Sequence, residues 1–201
     1  MLYKKFLKRI FDFTAALIGL VFLFPLFLLI GILIKFEDKG SVFFKQIRVG
    51  QNGKLFKIIK FRTMVENAEK LGPKITSHGD RRVTKIGKIL RKYKLDEFPQ
   101  LINVLKGDMS LVGPRPEVPE YVKLYKDNYK VILKVKPGIT DYASLEYKNE
   151  SEVLGEHKET EKMYIQKLLP KKLELAKKYT EELSFSTDLK LIFKTLFNIL
   201  R

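Results

Sequence analysis

Asp96 and Glu97 stand side by side in a stretch crowded with cations. Arg91 and Lys94 lie just before them, and the stiff run Gly113-Pro114-Arg115-Pro116 lies after them. Pro99 follows closely, and proline is tolerated in a helix only in its first turn. The spacing therefore predicts a helix that starts close to Asp96. Unpaired backbone N–H groups and the helix macrodipole stabilise an anion at such a start. An aspartate so placed is expected to be ionised at neutral pH, as a carboxylate nucleophile or an Mg2+ ligand must be. An isolated Asp-Glu pair before a helix is most often a structural cap. The cations before this pair and the Gly/Pro-rich loop after it are what point to chemistry.

Lys60, Arg62, Arg91 and Arg115 are the candidate phosphate binders. Arginine grips a phosphate through two hydrogen bonds, whereas lysine acts as a point charge. Arg115 sits between two prolines, so its backbone is restricted in a way that suits a preorganised contact. In a chain with 39 Lys and Arg side chains, any single one of these is more often a solvated charge. Asp108 follows Gly107 and reads as a turn aspartate rather than a second metal ligand. His78 and His157 stand alone in polar surroundings and receive no role. The sequence carries no Walker loop, no GxGxxG and no ordered Ser/His/Asp set.

The elements that must position these residues are legible in outline. Residues 42–62 predict a β-hairpin: Val42-Phe43-Phe44 and Leu55 to Ile59 are β-prone, and Asn52-Gly53 between them is a turn signal. On the second arm Lys60 and Arg62 then share a face, because strand side chains alternate with period two. Residues 63–70 suggest a short helix, and 71–82 a loop. Thr84 to Tyr93 predicts an amphipathic helix with Ile86, Ile89 and Leu90 on its apolar side. Tyr121 to Lys136 predicts a further helix, closed by Pro137-Gly138. Residues 151–183 predict two helices divided by Pro170. From Asp188 to Arg201, Lys190, Lys194, Asn198 and Arg201 form a polar stripe. Leu189, Ile192, Phe193, Leu196, Phe197 and Leu200 form the opposite apolar face, with Ser186 and Thr187 as caps. Such a helix lies on a membrane surface or packs into a core; the pattern alone leaves both open.

Phe13 to Ile34 runs 22 residues without a charge, the length of a bilayer-spanning helix. It is too long for a cleavable leader, and no small-residue cleavage site follows it. Pro25 near its middle removes a backbone hydrogen bond and bends a helix. Lys4, Lys5, Lys8 and Arg9 precede the segment and Lys35 and Lys39 follow it, and positive flanks prefer the cytoplasm. A helical hairpin bent near Phe24-Pro25 and a single kinked span both satisfy these features.

The chain has 201 residues, enough for one domain with its own core plus a membrane element. Cysteine is absent, which excludes disulfides and thiolate metal sites. The net charge of +16 is uneven: residues 1–60 contribute +8, residues 61–115 +6 and the remainder only +2. That excess favours an anionic partner, whether nucleic acid, anionic lipid or a phosphorylated substrate.

The run GKILRKYKLDEFPQLINVLKGDMSLVGPRP (87–116) resembles the signature of the bacterial sugar transferases, the monotopic polyprenol phosphate phosphoglycosyl transferases. KLFKIIKFRTM (54–64), VKPGIT (135–140) and the N-terminal KRIFDF before an apolar stretch with a central proline are similar to further segments of that family. The matches lie in order along almost the whole chain. The resemblance implies a small, mostly helical α/β membrane-associated domain with a β-hairpin. In that fold residues 1–36 are a re-entrant membrane helix broken at Pro25. Residues 37–201 are a catalytic domain with amphipathic surface helices, at the cytoplasmic face of the bacterial inner membrane.

The implied activity transfers a sugar-1-phosphate from a UDP-sugar to undecaprenyl phosphate with release of UMP. Asp96 is implied as nucleophile and Glu97 as the group that helps the polyprenol phosphate attack. Mg2+ is implied between Asp96 and the diphosphate, and phosphate binding at Lys60, Arg62, Arg91 and Arg115. Where common members read PGITGWAQV and then Gly-Arg-Asn, this chain reads PGITDYASLEYKN, with Lys148 in the place of the arginine. Lysine holds an anion less directionally, so the sugar is not inferred.

Two other classes compete. A membrane-associated glycosyltransferase would move only the sugar and release UDP, and would need no nucleophilic Asp96. A membrane-anchored basic adaptor would show no metal dependence. The clustered stacking aromatics of single-strand nucleic-acid binders are not evident, so lipids rather than nucleic acid are the expected anionic surface. The sequence leaves a homo-oligomer open.

Overall fold

The computed structural model describes residues 3–72, 79–147 and 160–200. After a wide π turn at Tyr3–Leu7, helix α1 runs over Lys8–Asp38. Strand β1 (Phe43–Val49) pairs antiparallel with β2 (Leu55–Phe61), with Phe43 opposite Phe61 and Val49 opposite Leu55. The turn between them places Asn52 at φ +56° and Gly53 at φ +78°. Asn and Gly are the residues that reach this left-handed region at low cost, so the expected hairpin forms for the expected reason.

Helix α2 (Lys85–Lys92) is capped by Thr84, whose Oγ1 accepts from Gly87 N at 3.0 Å. A 3-10 turn, Leu95–Glu97, carries both carboxylates, and α3 spans Gln100–Lys106. Strand β3 (Ser110–Val112) pairs in parallel with β4 (Gly138–Thr140). Between them lie α4 (Pro119–Leu124) and α5 (Lys126–Ile132), which divide at Tyr125 what the sequence suggested as one helix. Next come α6 (Tyr142–Glu146), α7 (Thr160–Met163), α8 (Leu169–Glu182) and α9 (Phe185–Leu200). The architecture is mostly helical, with two small two-stranded sheets.

Two further expectations change. Pro170 does not divide two helices: helical structure runs from Thr160 to Glu182, through a π turn at Tyr164–Leu168. The wider turn just ahead of Pro170 relieves the clash and missing donor that a proline brings to a regular α-helix. The cap of α9 is Ser184, not Ser186 or Thr187; its hydroxyl accepts from Thr187 N at 3.2 Å.

α1 is one helix of 31 residues, about 46 Å long if straight, so it exceeds the hydrocarbon thickness of a bilayer. Helical backbone continues through Pro25, so the helix is not interrupted there as the resemblance implied, although the carbonyl one turn earlier lacks its usual donor. Only a narrow stripe of α1 is buried. Ala16 packs with Phe56, Ile58 and Val104, while Ile30 and Ile34 pack with Phe61 and Leu90. Phe13, Leu17, Ile18, Val21, Phe22 and Phe36 are among the apolar side chains left outside. α1 therefore straddles the hairpin, holding α3 with one half and α2 with the other.

A second core joins α4 and α5 to α8 around Tyr129, Leu169 and Leu173, and a third gathers Val112, Tyr179, Leu183 and Leu191. Each fully buried large apolar side chain stabilises by about 1.5–3 kcal/mol.

Candidate functional site

The two carboxylates owe their position to a sharp corner. α2 ends at Tyr93, and Lys94 takes φ +56°, a left-handed conformation that costs a non-glycine residue energy. The chain then turns into the 3-10 segment and presents Asp96 and Glu97 toward the end of β2 and the loop that follows β3. Gly87 allows α2 to lie close enough: a Cβ there would overlap the backbone of Thr63.

Around Glu97 the site is densely paired. Lys60 Nζ donates to Glu97 Oε1 at 2.7 Å. Arg115 Nη2 donates to the same oxygen at 2.6 Å and Nη1 to Oε2 at 3.2 Å, a forked grip. Burial alone would push the Glu97 carboxyl up. The charges and hydrogen bonds of Arg115 and Lys60 outweigh it and hold Glu97 well below the usual carboxylate range. Burial lowers the Lys60 ammonium and Arg115 adds to that, while Glu97 opposes both.

Asp96 differs in every respect. It is 8% exposed, and its carboxylate accepts no hydrogen bond among the described residues. Burial raises its pKa and the neighbouring Glu97 charge adds to the rise, against the pull of Lys60, Arg91 and Lys94. Cations do surround Asp96, as the sequence suggested, but desolvation is the larger influence. Two acidic neighbours are thus driven in opposite directions by their surroundings, the usual sign of divided roles.

Arg91 sits beside this pair on α2, its Nε donating to Thr63 Oγ1 at 2.9 Å. Thr63 therefore orients Arg91, a role the sequence gave no reason to assign beyond its place after Phe61-Arg62. Arg62 turns elsewhere. It is buried, ion-paired with Asp38 at the end of α1, and 3.8 Å from Glu66. Lys60, Arg91 and Arg115 are thus brought around the dyad, and Arg62 is not. The alternation expected to place Lys60 and Arg62 together fails because β2 ends at Phe61 and Arg62 already belongs to the following loop.

Asp108 lies in the turn after α3, with its N–H bonded to Asn103 O at 3.0 Å and Gly107 at φ +84°. Lys148, His78 and His157 lie outside the described residues.

Asp141, where the sequence departs from the common motif, has a structural purpose. Its side chain accepts from Ser144 N at 2.7 Å, capping α6, and from Arg115 N at 3.0 Å. The Asp-x-x-Ser spacing could have signalled the cap; the second contact depends on the parallel pairing of β3 and β4. Behind Arg115 is a cavity of about 20 Å³ lined by Glu117, Asp141 and Lys172 among others, room for about one water. Among the described residues no three acidic or histidine side chains gather as a metal site. A cation here would rest on Asp96 and take its remaining ligands from substrate oxygens and water.

Comparison with known proteins places the chain in a family. A model of the bacterial sugar transferase family matches residues 3–201. The exopolysaccharide production protein ExoY of Sinorhizobium fredii is 40% identical over 158 residues, covering 71% of this chain and 70% of that protein. The UDP-N-acetylgalactosamine-undecaprenyl-phosphate N-acetylgalactosaminephosphotransferase of Aeromonas hydrophila is 39% identical over 97% of this chain but only 44% of its own length. The UDP-glucose:undecaprenyl-phosphate glucose-1-phosphate transferase of Escherichia coli is 38% identical over 96% of this chain and 40% of its own length. This chain spans less than half the length of the last two. With the family match running from the first turn to the last residue, the chain belongs to the bacterial sugar transferases and is a transferase enzyme.

Proposed function

We propose that this enzyme transfers a sugar-1-phosphate from a UDP-sugar to undecaprenyl phosphate in two steps, through a covalent intermediate on Asp96. The observation that carries the reading is the asymmetry of the dyad. Glu97 is locked by two cations, while Asp96 beside it has a carboxylate with no donor attached. In the first step an Asp96 oxygen attacks the phosphorus that bears the sugar. The bond from that phosphorus to the bridging oxygen breaks, and UMP leaves with the electron pair. In the second step an oxygen of undecaprenyl phosphate attacks the same phosphorus and Asp96 departs as carboxylate. Glu97, held ionised, accepts a proton from the incoming phosphate if it arrives protonated. Lys60, Arg91 and Arg115 supply fixed positive charge where negative charge builds, the largest contribution in phosphoryl transfer. Mg2+ bound at Asp96 would neutralise further charge on the diphosphate. The names of the relatives from Aeromonas hydrophila and Escherichia coli support the donor and acceptor classes.

The reading places the enzyme on the cytoplasmic face of the cell membrane, with α1 entering and leaving by that face. Both ends of α1 hold the same folded body. Lys8 pairs with Asp188 at 2.5 Å and Arg9 donates to the Val104 and Leu105 carbonyls at 2.6 and 2.9 Å. At the other end Glu37 accepts from Lys85 N at 2.6 Å and Asp38 pairs with Arg62. A spanning helix would carry one end to the far side of the bilayer. A single cysteine at Lys4, in a chain with none of its own, should be labelled from the cytoplasmic side only; labelling from outside would refute this topology.

Product analysis tests the chemistry. Purified enzyme with a UDP-sugar, Mg2+ and undecaprenyl phosphate should release UMP, and Asp96→Asn should not. Release of UDP would instead indicate direct sugar transfer.

A further inference from the structure

Glu37 and Asp38 close the last turn of α1. Acidic side chains there oppose the helix macrodipole, whose C-terminal end is negative and favours cations. Helix stability therefore gives no reason for two acids in a row at that end. Their partners do. Asp38 pairs with Arg62, and Glu37 reaches across to the start of α2. The first N–H groups of a helix have no acceptor within it. In α2 all four find one outside the ladder. Thr84 N bonds Thr63 O at 3.1 Å, and Gly87 N bonds Thr84 Oγ1 at 3.0 Å. The two between them belong to Glu37: Oε1 accepts from Lys85 N at 2.6 Å and Oε2 from Ile86 N at 3.2 Å. α2 is only eight residues long, about two turns, so holding its start also places its end. That end carries Arg91, whose Nε donates to Thr63 Oγ1 at 2.9 Å, and runs into the corner at Lys94. Leu90, beside Arg91, packs in one core with Ile30 and Ile34 of α1. The end of α1 thus holds α2 by its first turn and by its buried side.

We propose that Glu37 is a positioning residue for Arg91: by fixing the first turn of α2 against the end of α1, it sets the guanidinium beside the dyad. This rests on the two-step reading above. Glu37 acts through α2 and not on the reacting atoms. Without its carboxylate the Lys85 and Ile86 N–H groups turn to water, and the first turn of α2 loosens. Arg91 then keeps its charge but loses its fixed place. Charge aimed in advance at the point where negative charge builds is what accelerates phosphoryl transfer, and a small displacement of it costs rate. The two acids at the end of α1 accordingly divide the work: Asp38 holds Arg62 and the loop after β2, and Glu37 holds the helix that presents Arg91.

The test uses full-length enzyme in detergent with Mg2+, and UDP-glucose or UDP-N-acetylgalactosamine, whichever the wild type consumes. UMP release is followed in a single turnover without undecaprenyl phosphate, at several donor concentrations. Glu37→Ala should slow UMP release about 10-fold at saturating donor and leave the half-saturating donor concentration within about 2-fold of the wild type. Tm should fall by only about 2–4 °C, the loss of one helix cap. Glu37→Gln keeps the length and an oxygen that accepts a backbone N–H, so it should recover most of the rate. The deciding measurement is a double-mutant cycle with Arg91→Ala. In that background Glu37→Ala should cost less than about 2-fold more, because no guanidinium remains to be placed. An equal loss in both backgrounds overturns the assignment, since Glu37 would then act on the fold and not on Arg91. So does UMP release by Glu37→Ala at the wild-type rate. Absence of UMP from the wild type would overturn the two-step reading itself, and this inference with it.

Discussion

Two of this protein's clusters of buried charge are built in opposite ways. One lies where α1, β3, α8 and α9 meet. There Asp188 accepts from Tyr3 at 2.5 Å, from Lys8 at 2.5 Å and from Tyr179 at 2.7 Å. Asp12 beside it accepts from the Ser110 hydroxyl at 2.7 Å and from Leu111 N at 3.1 Å. Every oxygen of these two carboxylates has a donor. The other cluster is the dyad site, where Glu97 takes all the close contacts and Asp96 takes none. A satisfied buried network rigidifies a fold, whereas a partly satisfied one carries a cost that only function repays. The contrast separates the cluster that fastens elements from the cluster proposed above to react.

Substitutions can break that contrast or sharpen it. The largest expected effect is Asp96→Asn, which should reduce turnover at least about 1,000-fold while Tm holds or rises, because no donor loses its acceptor. Asp188→Asn should do the reverse. Removing one member of a buried ionic network costs about 3 kcal/mol, or roughly 6–12 °C in a chain this size, with activity per folded molecule retained. Thermal unfolding in detergent and turnover at a permissive temperature measure both. If Asp188→Asn abolished turnover at full stability, the division of labour would be wrong.

Glu97→Gln should fall between the two, lowering turnover about 100-fold and Tm measurably, since Lys60 and Arg115 then face a neutral amide. The smallest effect calibrates the scale. Asp80 takes a forked contact from Arg82, with Nη2 to Oδ2 at 2.6 Å, and this hydrogen bonding holds its carboxyl below the usual range. A lowered folded pKa means the contribution is complete above the unfolded value of about 3.9 and is lost as pH falls through the folded one. Asp80→Asn should therefore cost less than about 1 kcal/mol at pH 7, and its difference from wild type should vanish in acid.

How far the sequence anticipated each cluster differs as well. The dyad was legible because its members and Arg115 lie within twenty residues of one another and carry strong local signals, the helix start marked by Pro99 and the Gly-Pro-Arg-Pro loop. The hairpin and the α2 cap were legible for the same reason: Asn52-Gly53 and Thr84 act on their immediate neighbours. The Asp188 network was not, because Tyr3 and Asp188 are 185 positions apart and meet only through tertiary packing. Arg62 was misplaced by a strand that ends one residue earlier than alternation assumed. Pro170 was misread because a π turn has no simple sequence mark. Asp141 stood out in the sequence as a departure from the common motif, yet its hold on Arg115 appears only once β3 and β4 are paired.

The double attachment of α1 has a consequence for how the enzyme meets its acceptor. A body hung from one anchor can swing and rise, so the distance from its reactive atom to the lipid surface fluctuates. A body fastened at Lys8-Arg9 and again at Glu37-Asp38 cannot tilt about either point alone. On the function proposed above, its elevation above the acyl chains would be a property of the fold. Asp96 would then wait at a set altitude, and a phosphate on a long polyprenol would need only lateral diffusion, a search in two dimensions, to find it.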